Sequence, residues 1–89
     1  MDGAPAFAAE VRSPEDFGPA AEADIAAKRA DYFAAGTQIV WDVDPIREKV
    51  VRVYRGGQPD QPSVYRSGDA AEAEPVLPGW RLAVAELFG

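Results

Sequence analysis

Apolar and polar positions alternate most regularly in the middle of the chain, over residues 38–55. Residues 38–44 place three apolar side chains on one face and Asp42 on the other, which is the period of a half-buried strand. Residues 49–55 return as a second strand, and the Asp-Pro-Ile-Arg-Glu sequence of residues 44–48 has turn chemistry. The pattern predicts a β-hairpin whose loop has about four or five residues.

Residues 20–35 predict one long helix, because alanine and other helix formers fill the segment. Pro19 suits the first helical position, and Gly36 suits the left-handed residue that ends a helix. Small side chains would let this helix lie close against a sheet. We expect that contact to be made by an apolar stripe, which comprises Ala23, Ala26, Ala27, Ala30, Phe33 and Ala34.

The other segments have weaker patterns. Residues 4–11 are typical of a short buried strand that Glu10 interrupts. Residues 56–62 predict a loop and residues 63–66 a third strand. The rest of the chain alternates turns with short apolar pieces and ends in a helical turn over residues 84–88.

Together these elements predict an α/β (α+β) fold, with one main helix (about 20–35) packed on a small mixed sheet that contains the hairpin (about 38–55). A length of 89 residues allows a single domain, 1–89. Leu, Ile, Val and Phe supply only 19 of the 89 residues, so the core is expected to be small. Chains of this size hide about 60–65% of their unfolded surface, so we expect a partner that covers an exposed face.

Composition excludes several kinds of chemistry. The chain has no histidine and no cysteine, which excludes thiolate nucleophiles, disulfides and the usual zinc, copper and haem sites. Any bound metal would be a hard ion held by carboxylates. No apolar run reaches the roughly 18–20 residues that span a bilayer, and the N-terminus has no signal-peptide pattern, so we expect a cytoplasmic protein with no membrane partner.

Charge is distributed unevenly. The chain carries 15 acidic and 9 basic side chains, and its net charge of −6 argues against non-specific DNA attachment as its main role. Residues 45–66 nevertheless contain a local excess of bases, which is either a solvated hairpin edge protected from strand addition or a patch that contacts phosphates. These bases are Arg47, Lys49, Arg52, Arg55 and Arg66.

Three charged residues stand out as candidates for chemistry. Glu10 follows apolar residues on the first predicted strand, so it must reach water, a cation or a metal, or else be a strand-end acid. Arg12 lies two residues further on and would share a face with Glu10. Lys28 lies in the middle of the helix, where a surface ion pair with Asp24 is the simpler interpretation.

The order of motifs along the chain resembles the Uma-two group of restriction endonucleases, a branch of the PD-(D/E)XK nuclease superfamily. The similarity runs from about Ala4 to the C-terminus. The motifs that carry it are Pro5-Ala6-Phe7-Ala8-Ala9-Glu10-Val11-Arg12-Ser13-Pro14, Lys28 with Tyr32, Ala34-Ala35-Gly36, Ile39 to Pro45, Val51 to Arg55, Pro75 to Leu82, and Glu86-Leu87-Phe88.

This resemblance implies a restriction-endonuclease-like partial fold that corresponds to the C-terminal half of the family's domain, since members are roughly twice as long. It implies Glu10 as a metal ligand and Lys28 as the catalytic lysine, with Mg²⁺ or Mn²⁺ as cofactor and DNA as substrate. Ala6 occupies the position of the family's metal-binding aspartate. Arg12, which stands where other branches keep their lysine, is a candidate contact to DNA phosphates, as are Arg52 and Arg55.

Because one ligand is replaced and half of the domain is missing, we expect weak cleavage of DNA phosphodiester bonds or none. The missing part could come from a homodimer, formed by pairing at the strand near Ala4, or from a separate N-terminal half. Two alternatives remain open. One is a non-catalytic interaction domain or decayed fragment of the family, and the other is a non-enzymatic nucleic-acid binder that uses the basic hairpin.

Overall fold

A computed structural model describes residues 5–88 as two small sheets and two helices. The elements are β1 (Phe7–Val11), α1 (Pro19–Ala34), β2 (Ile39–Asp44), β3 (Val50–Arg55), β4 (Gln58–Arg66), β5 (Ala70–Ala73), β6 (Leu77–Ala83) and α2 (Val84–Leu87). The first sheet has the order β1-β2-β3-β4, and β5 pairs with β6 in the second. Ala4, where the first strand was predicted to start, lies outside the described residues.

The four-stranded sheet is mixed, as the sequence predicted. β1 runs parallel to β2, whereas β3 is antiparallel to both β2 and β4. Ile39 lies opposite Arg55 and Asp44 opposite Val50, so the predicted hairpin and its loop over residues 45–49 are confirmed. Within the described residues β1 pairs with β2 alone, so the other side of β1 is an open edge.

β2 is buried on both faces, which corrects the expectation of a half-buried strand. All six of its residues are buried, including Asp42 and Asp44, which are each 2% exposed. On one face, Trp41 of β2 packs in the apolar core with Val53 of β3 and Val84 of α2. The other face lies beneath α1. Because layers cover both sides, Asp42 points away from the apolar core without reaching solvent.

The bounds of α1 agree with the prediction, but its apolar stripe does not pack on the sheet. Pro19 is the first helical residue and Gly36 adopts φ 109° after the helix. No residue of α1 is buried, and the stripe's alanines are exposed, whereas Phe33 is half-buried. The sheet face below α1 carries charged side chains, so the helix meets it with longer side chains such as Ile25 and Tyr32.

The C-terminal third departs most from the prediction. β4 begins at Gln58, not Ser63, because Gly56 and Gly57 alone make the turn and the predicted loop is mostly strand. Its two prolines are tolerated because β4 is an edge strand. The second sheet was not predicted, since alanine, proline and glycine have low strand propensity.

Pairing of β5 with β6 is supported by tertiary contacts. Ala71 and Ala73 are fully buried, and the indole N–H of Trp41 donates to the carbonyl oxygen of Glu72 at 3.1 Å. α2 begins at Val84, in agreement with the predicted final helical turn, and Val84 is fully buried. Neither helix of the described chain is both long enough and apolar enough to cross a membrane.

Candidate active site

Glu10 on β1 accepts hydrogen bonds from two side chains of α1. Its Oε1 is 2.8 Å from Nζ of Lys28, and its Oε2 is 2.9 Å from Oη of Tyr32. Lys28 and Tyr32 are four residues apart and therefore project from the same side of the helix. The structure thus joins two residues that the sequence singled out separately, and the partner of Lys28 is a residue of the sheet rather than Asp24.

These contacts shift the ionisation of all three groups. The hydrogen bond from Lys28 is the main cause that holds the pKa of Glu10 below its ordinary value, and the same contact raises the pKa of Lys28. The hydrogen bond to Glu10 raises the pKa of Tyr32. At neutral pH the cluster therefore contains a carboxylate, an ammonium group and a neutral phenol.

Arg12 lies beside this cluster and uses all five of its N–H groups within the protein. Its Nε and Nη2 donate to the two carboxylate oxygens of Asp42, each at 2.8 Å. Nη1 and Nη2 also donate to Glu22, at 2.5 and 2.9 Å, and Nη1 donates to the carbonyl oxygen of Asp16 at 3.0 Å. A guanidinium group has five donors. None is left to bind a phosphate.

Burial makes this ion cluster a structural feature. The side chains of Arg12 and Asp42 are 7% and 3% exposed, whereas that of Glu22 is 51% exposed. The hydrogen bond to Asp42 is the main cause that raises the pKa of Arg12, so its guanidinium stays charged. The Arg12 hydrogen bond lowers the pKa of Glu22. The cluster ties β1 and β2 to the first turn of α1.

The other two predicted phosphate contacts lie on opposite faces of the sheet. Arg52 lies opposite Asp42, on the α1 side, and pairs with Glu48. Arg55 lies opposite Ile39, on the side of the apolar core, and pairs with Glu72. The bases of the hairpin therefore do not form one continuous patch, because Arg47 and Arg52 lie on the α1 side whereas Arg55 lies on the side of the apolar core.

Comparison with known proteins identifies the family. The family model Uma2, described as "Putative restriction endonuclease", matches residues 1–85. The chain belongs to the Uma2 family. No curated protein matches the chain.

A solved structure shows the same fold at greater length. The crystal structure of a "putative nuclease" from Anabaena variabilis ATCC 29413 matches with a TM-score of 0.75 and 24% sequence identity. The match covers 99% of this chain and 46% of that chain. The Uma2 chain thus has the fold of that nuclease over about half of its length.

The residues present do not fit the divalent metal that the family implies. Within residues 5–88, no three Asp or Glu side chains are grouped so that they could hold a metal ion. Ala6 supplies no ligand atom, and its carbonyl oxygen accepts hydrogen bonds from the backbone N–H groups of Gln38 and Ile39. Asp42 is bound to Arg12 on both oxygens. Glu10 by itself is a poor site for Mg²⁺, which requires six oxygen ligands in near-octahedral geometry.

Several contributors to this region were missed at the sequence level. Tyr32 was noted only as part of a motif, although its spacing from Lys28 could have indicated a shared target on the sheet. The sequence did not indicate that Asp42 and Glu22 bind Arg12, because Arg12 is 30 residues from Asp42 and 10 from Glu22. Only the fold brings these carboxylates to one guanidinium group.

A first prediction concerns the pKa of Glu10. Because this pKa is lowered from 4.5, the Lys28 contact stabilises the fold above pH 4.5 and loses that contribution as the pH falls through the folded-state pKa. In Lys28→Met the carboxyl should titrate closer to 4.5, as measured by NMR of the Glu10 side-chain carboxyl carbon. The matched change Lys49→Met should leave it unaltered. The same Glu10 pKa in the unaltered chain, Lys28→Met and Lys49→Met would contradict the Lys28–Glu10 contact.

A second prediction concerns the buried ion cluster. Arg12→Ala leaves the buried Asp42 charge without its partner and should lower the free energy of unfolding by about 3–5 kcal/mol. Arg12→Leu/Asp42→Leu should recover much of that loss, because no buried unpaired charge remains and the Glu22 carboxylate is exposed to water. Urea unfolding measures both. Arg81→Ala, which breaks the exposed pair with Glu74, is the control and should have a far smaller effect.

Proposed function

We propose that this Uma2 chain forms part of a DNA endonuclease in which Glu10 and Lys28 belong to the active site. The observation that carries this proposal is the 2.8 Å contact between Lys28 and Glu10, residues at the family's motif positions for an acid and a lysine. Lys28 has a side chain 60% exposed, so its ammonium group can meet a phosphate that approaches from solvent. We assign Lys28 the task of stabilising charge on the scissile phosphate or orienting the attacking water.

We further propose that the chain alone cleaves DNA weakly or not at all. The family's cofactor would be Mg²⁺ or Mn²⁺, which needs more carboxylate ligands than Glu10 supplies. The missing ligands would have to come from a restored aspartate at residue 6 or from another polypeptide segment. The alternative is a non-catalytic interaction domain or decayed member of the family, which the alanine at residue 6 favours.

A partner that completes the sheet is part of the proposal. β1 presents its unpaired backbone groups at an open edge, and such edges pair readily with another strand. The exposed alanines of α1 are a second uncovered apolar surface. We favour a second copy of the chain, joined by antiparallel β1–β1 pairing, over a separate N-terminal half.

Cleavage tests the active-site proposal. Supercoiled plasmid in Mg²⁺ or Mn²⁺ should be nicked slowly or not at all by the unaltered chain, and clearly faster by Ala6→Asp. Ala9→Asp adds the same charge to a neighbouring residue of β1 on the opposite face and should not gain activity. Ala6→Asp/Glu10→Ala should lose the gain.

Each outcome of this assay has a defined meaning. Cleavage by the unaltered chain at the rate of Ala6→Asp would show that the lost aspartate does not limit activity. Silence from every variant, with folding verified by circular dichroism, would favour the non-catalytic alternative.

Sedimentation tests the partner proposal. Sedimentation velocity of the chain alone should show a dimer at micromolar concentration. Val11→Pro removes a backbone N–H from the open edge strand and should give a monomer, because proline cannot donate in a strand ladder. Val64→Pro, on the opposite edge of the sheet, is the control and should leave the dimer intact. If the unaltered chain is a monomer at this concentration, the proposed β1–β1 pairing is wrong.

A further inference from the structure

A cavity of about 520 Å³ lies on the same side of the sheet as Glu10, between α1 and the β2–β3 hairpin. A second cavity, of about 240 Å³, is lined by Glu10 and Lys28. Arg12 and Asp42 line both. The larger cavity is therefore the immediate neighbour of the proposed active site, with the Arg12–Asp42 pair between them.

Three arginines at this larger cavity lie over aromatic rings, and one of them, Arg12, already has all its N–H groups engaged. Arg29 of α1 lies over the ring of Tyr54, with its Cζ 3.8 Å from the ring centroid. Arg47 of the hairpin loop lies over Phe17, at 4.5 Å. Stacking on a ring orients a guanidinium group while its N–H edge stays free.

Within residues 5–88, the side chains of Arg29 and Arg47 have no carboxylate partner within salt-bridge distance and donate no hydrogen bond. The carboxylates that line the cavity are already engaged. Asp42 and Glu22 bind Arg12, and Glu48 binds Arg52.

Asp44 is the fourth carboxylate of the lining, and it is engaged by the backbone. It accepts from the backbone N–H groups of residues 46, 47 and 48. Burial acts to raise the pKa of Asp44, but these three donors outweigh it and the pKa is lowered. The four arginines and four carboxylates that line the cavity give it no net formal charge. What the cavity offers a ligand is therefore the unengaged N–H donors of Arg29 and Arg47.

We propose that Arg29 and Arg47 bind a phosphodiester group of DNA that flanks the group presented to Glu10 and Lys28. This inference rests on the proposed endonuclease function and names the phosphate subsite next to it. A guanidinium fork matches two phosphate oxygens, and two forks that line one cavity, one from α1 and one from the hairpin loop, would fix the register of the strand. Short-range donors of this kind suit a chain with a net charge of −6, which has no long-range attraction for DNA.

Binding in the absence of metal tests the subsite. Fluorescence anisotropy with a labelled duplex in EDTA, over a series of salt concentrations, gives the affinity and its salt dependence. Arg29→Gln and Arg47→Gln should each weaken binding several-fold and reduce the slope of log K against log salt by about 0.9 for each lost phosphate contact. Arg66→Gln removes the same charge from β4, outside the cavity, and should retain the slope.

Two controls separate phosphate binding from loss of folding and from a general response to anions. Arg29→Lys keeps the charge but lacks the fork, so it should bind more weakly than the unaltered chain while it unfolds at the same temperature. The ¹H–¹⁵N resonances of the Arg29 and Arg47 side chains should shift with a short thymidine oligonucleotide and not with inorganic phosphate at the same ionic strength. A response to inorganic phosphate alone would overturn the assignment to DNA.

The proposal is also overturned if the double variant binds like the unaltered chain, if Arg66→Gln weakens binding equally, or if the unaltered chain binds no duplex at low salt. Failure of the subsite proposal can be distinguished from failure of the endonuclease proposal. Loss of binding in Arg29→Gln and Arg47→Gln supports the subsite even where Ala6→Asp nicks no plasmid. Nicking by Ala6→Asp that is indifferent to both arginines would reject the subsite alone.

Discussion

Helix α1 is joined to the sheet chiefly by polar side chains, since none of its residues is buried. Lys28 and Tyr32 bind Glu10, and Glu22 binds the guanidinium of Arg12. Arg12 in turn is held by the buried Asp42. Removing Arg12 or Asp42 leaves a buried charge without its partner, which costs more free energy than the loss of an exposed partner such as Glu22 or Lys28. The position of α1, and with it both cavities, therefore depends on this set of ion pairs.

The same contacts restrict the chemistry of the chain. A metal-dependent nuclease needs carboxylate oxygens that are free to bind an ion. Here Asp42 is neutralised by Arg12 on both oxygens, and Glu10 is hydrogen-bonded on both oxygens by groups of α1. Because residue 6 is alanine, Glu10 and Asp42 are the carboxylates that remain near the site, and both already form contacts that stabilise the fold. Structural and catalytic demands on these residues compete, which is the physical basis for proposing weak activity.

The sheet separates two environments. Alternate residues of β2 and β3 point to opposite faces, so Trp41 and Val53 enter the apolar core while Asp42 and Arg52 lie beneath α1. The apolar face receives the second sheet and α2, which completes a small core. The polar face holds Glu10, Lys28 and the cavity with the stacked arginines. The solved structure with the same fold is about twice as long, and the open edge of β1 is where an added strand would continue this arrangement.

Helix propensity and turn chemistry act over short stretches of chain, so the amino-acid sequence was enough to predict the helix at about 20–35 and the hairpin at about 38–55. The order of motifs along the chain indicated the family and singled out Glu10 and Lys28. The folded structure was needed to show that these two residues meet, that the alanine stripe faces outward, and that β5 pairs with β6. Each of these outcomes depends on contacts between residues far apart in the chain, such as Arg12 with Asp42, and local patterns contain no information about which distant side chain will supply the partner.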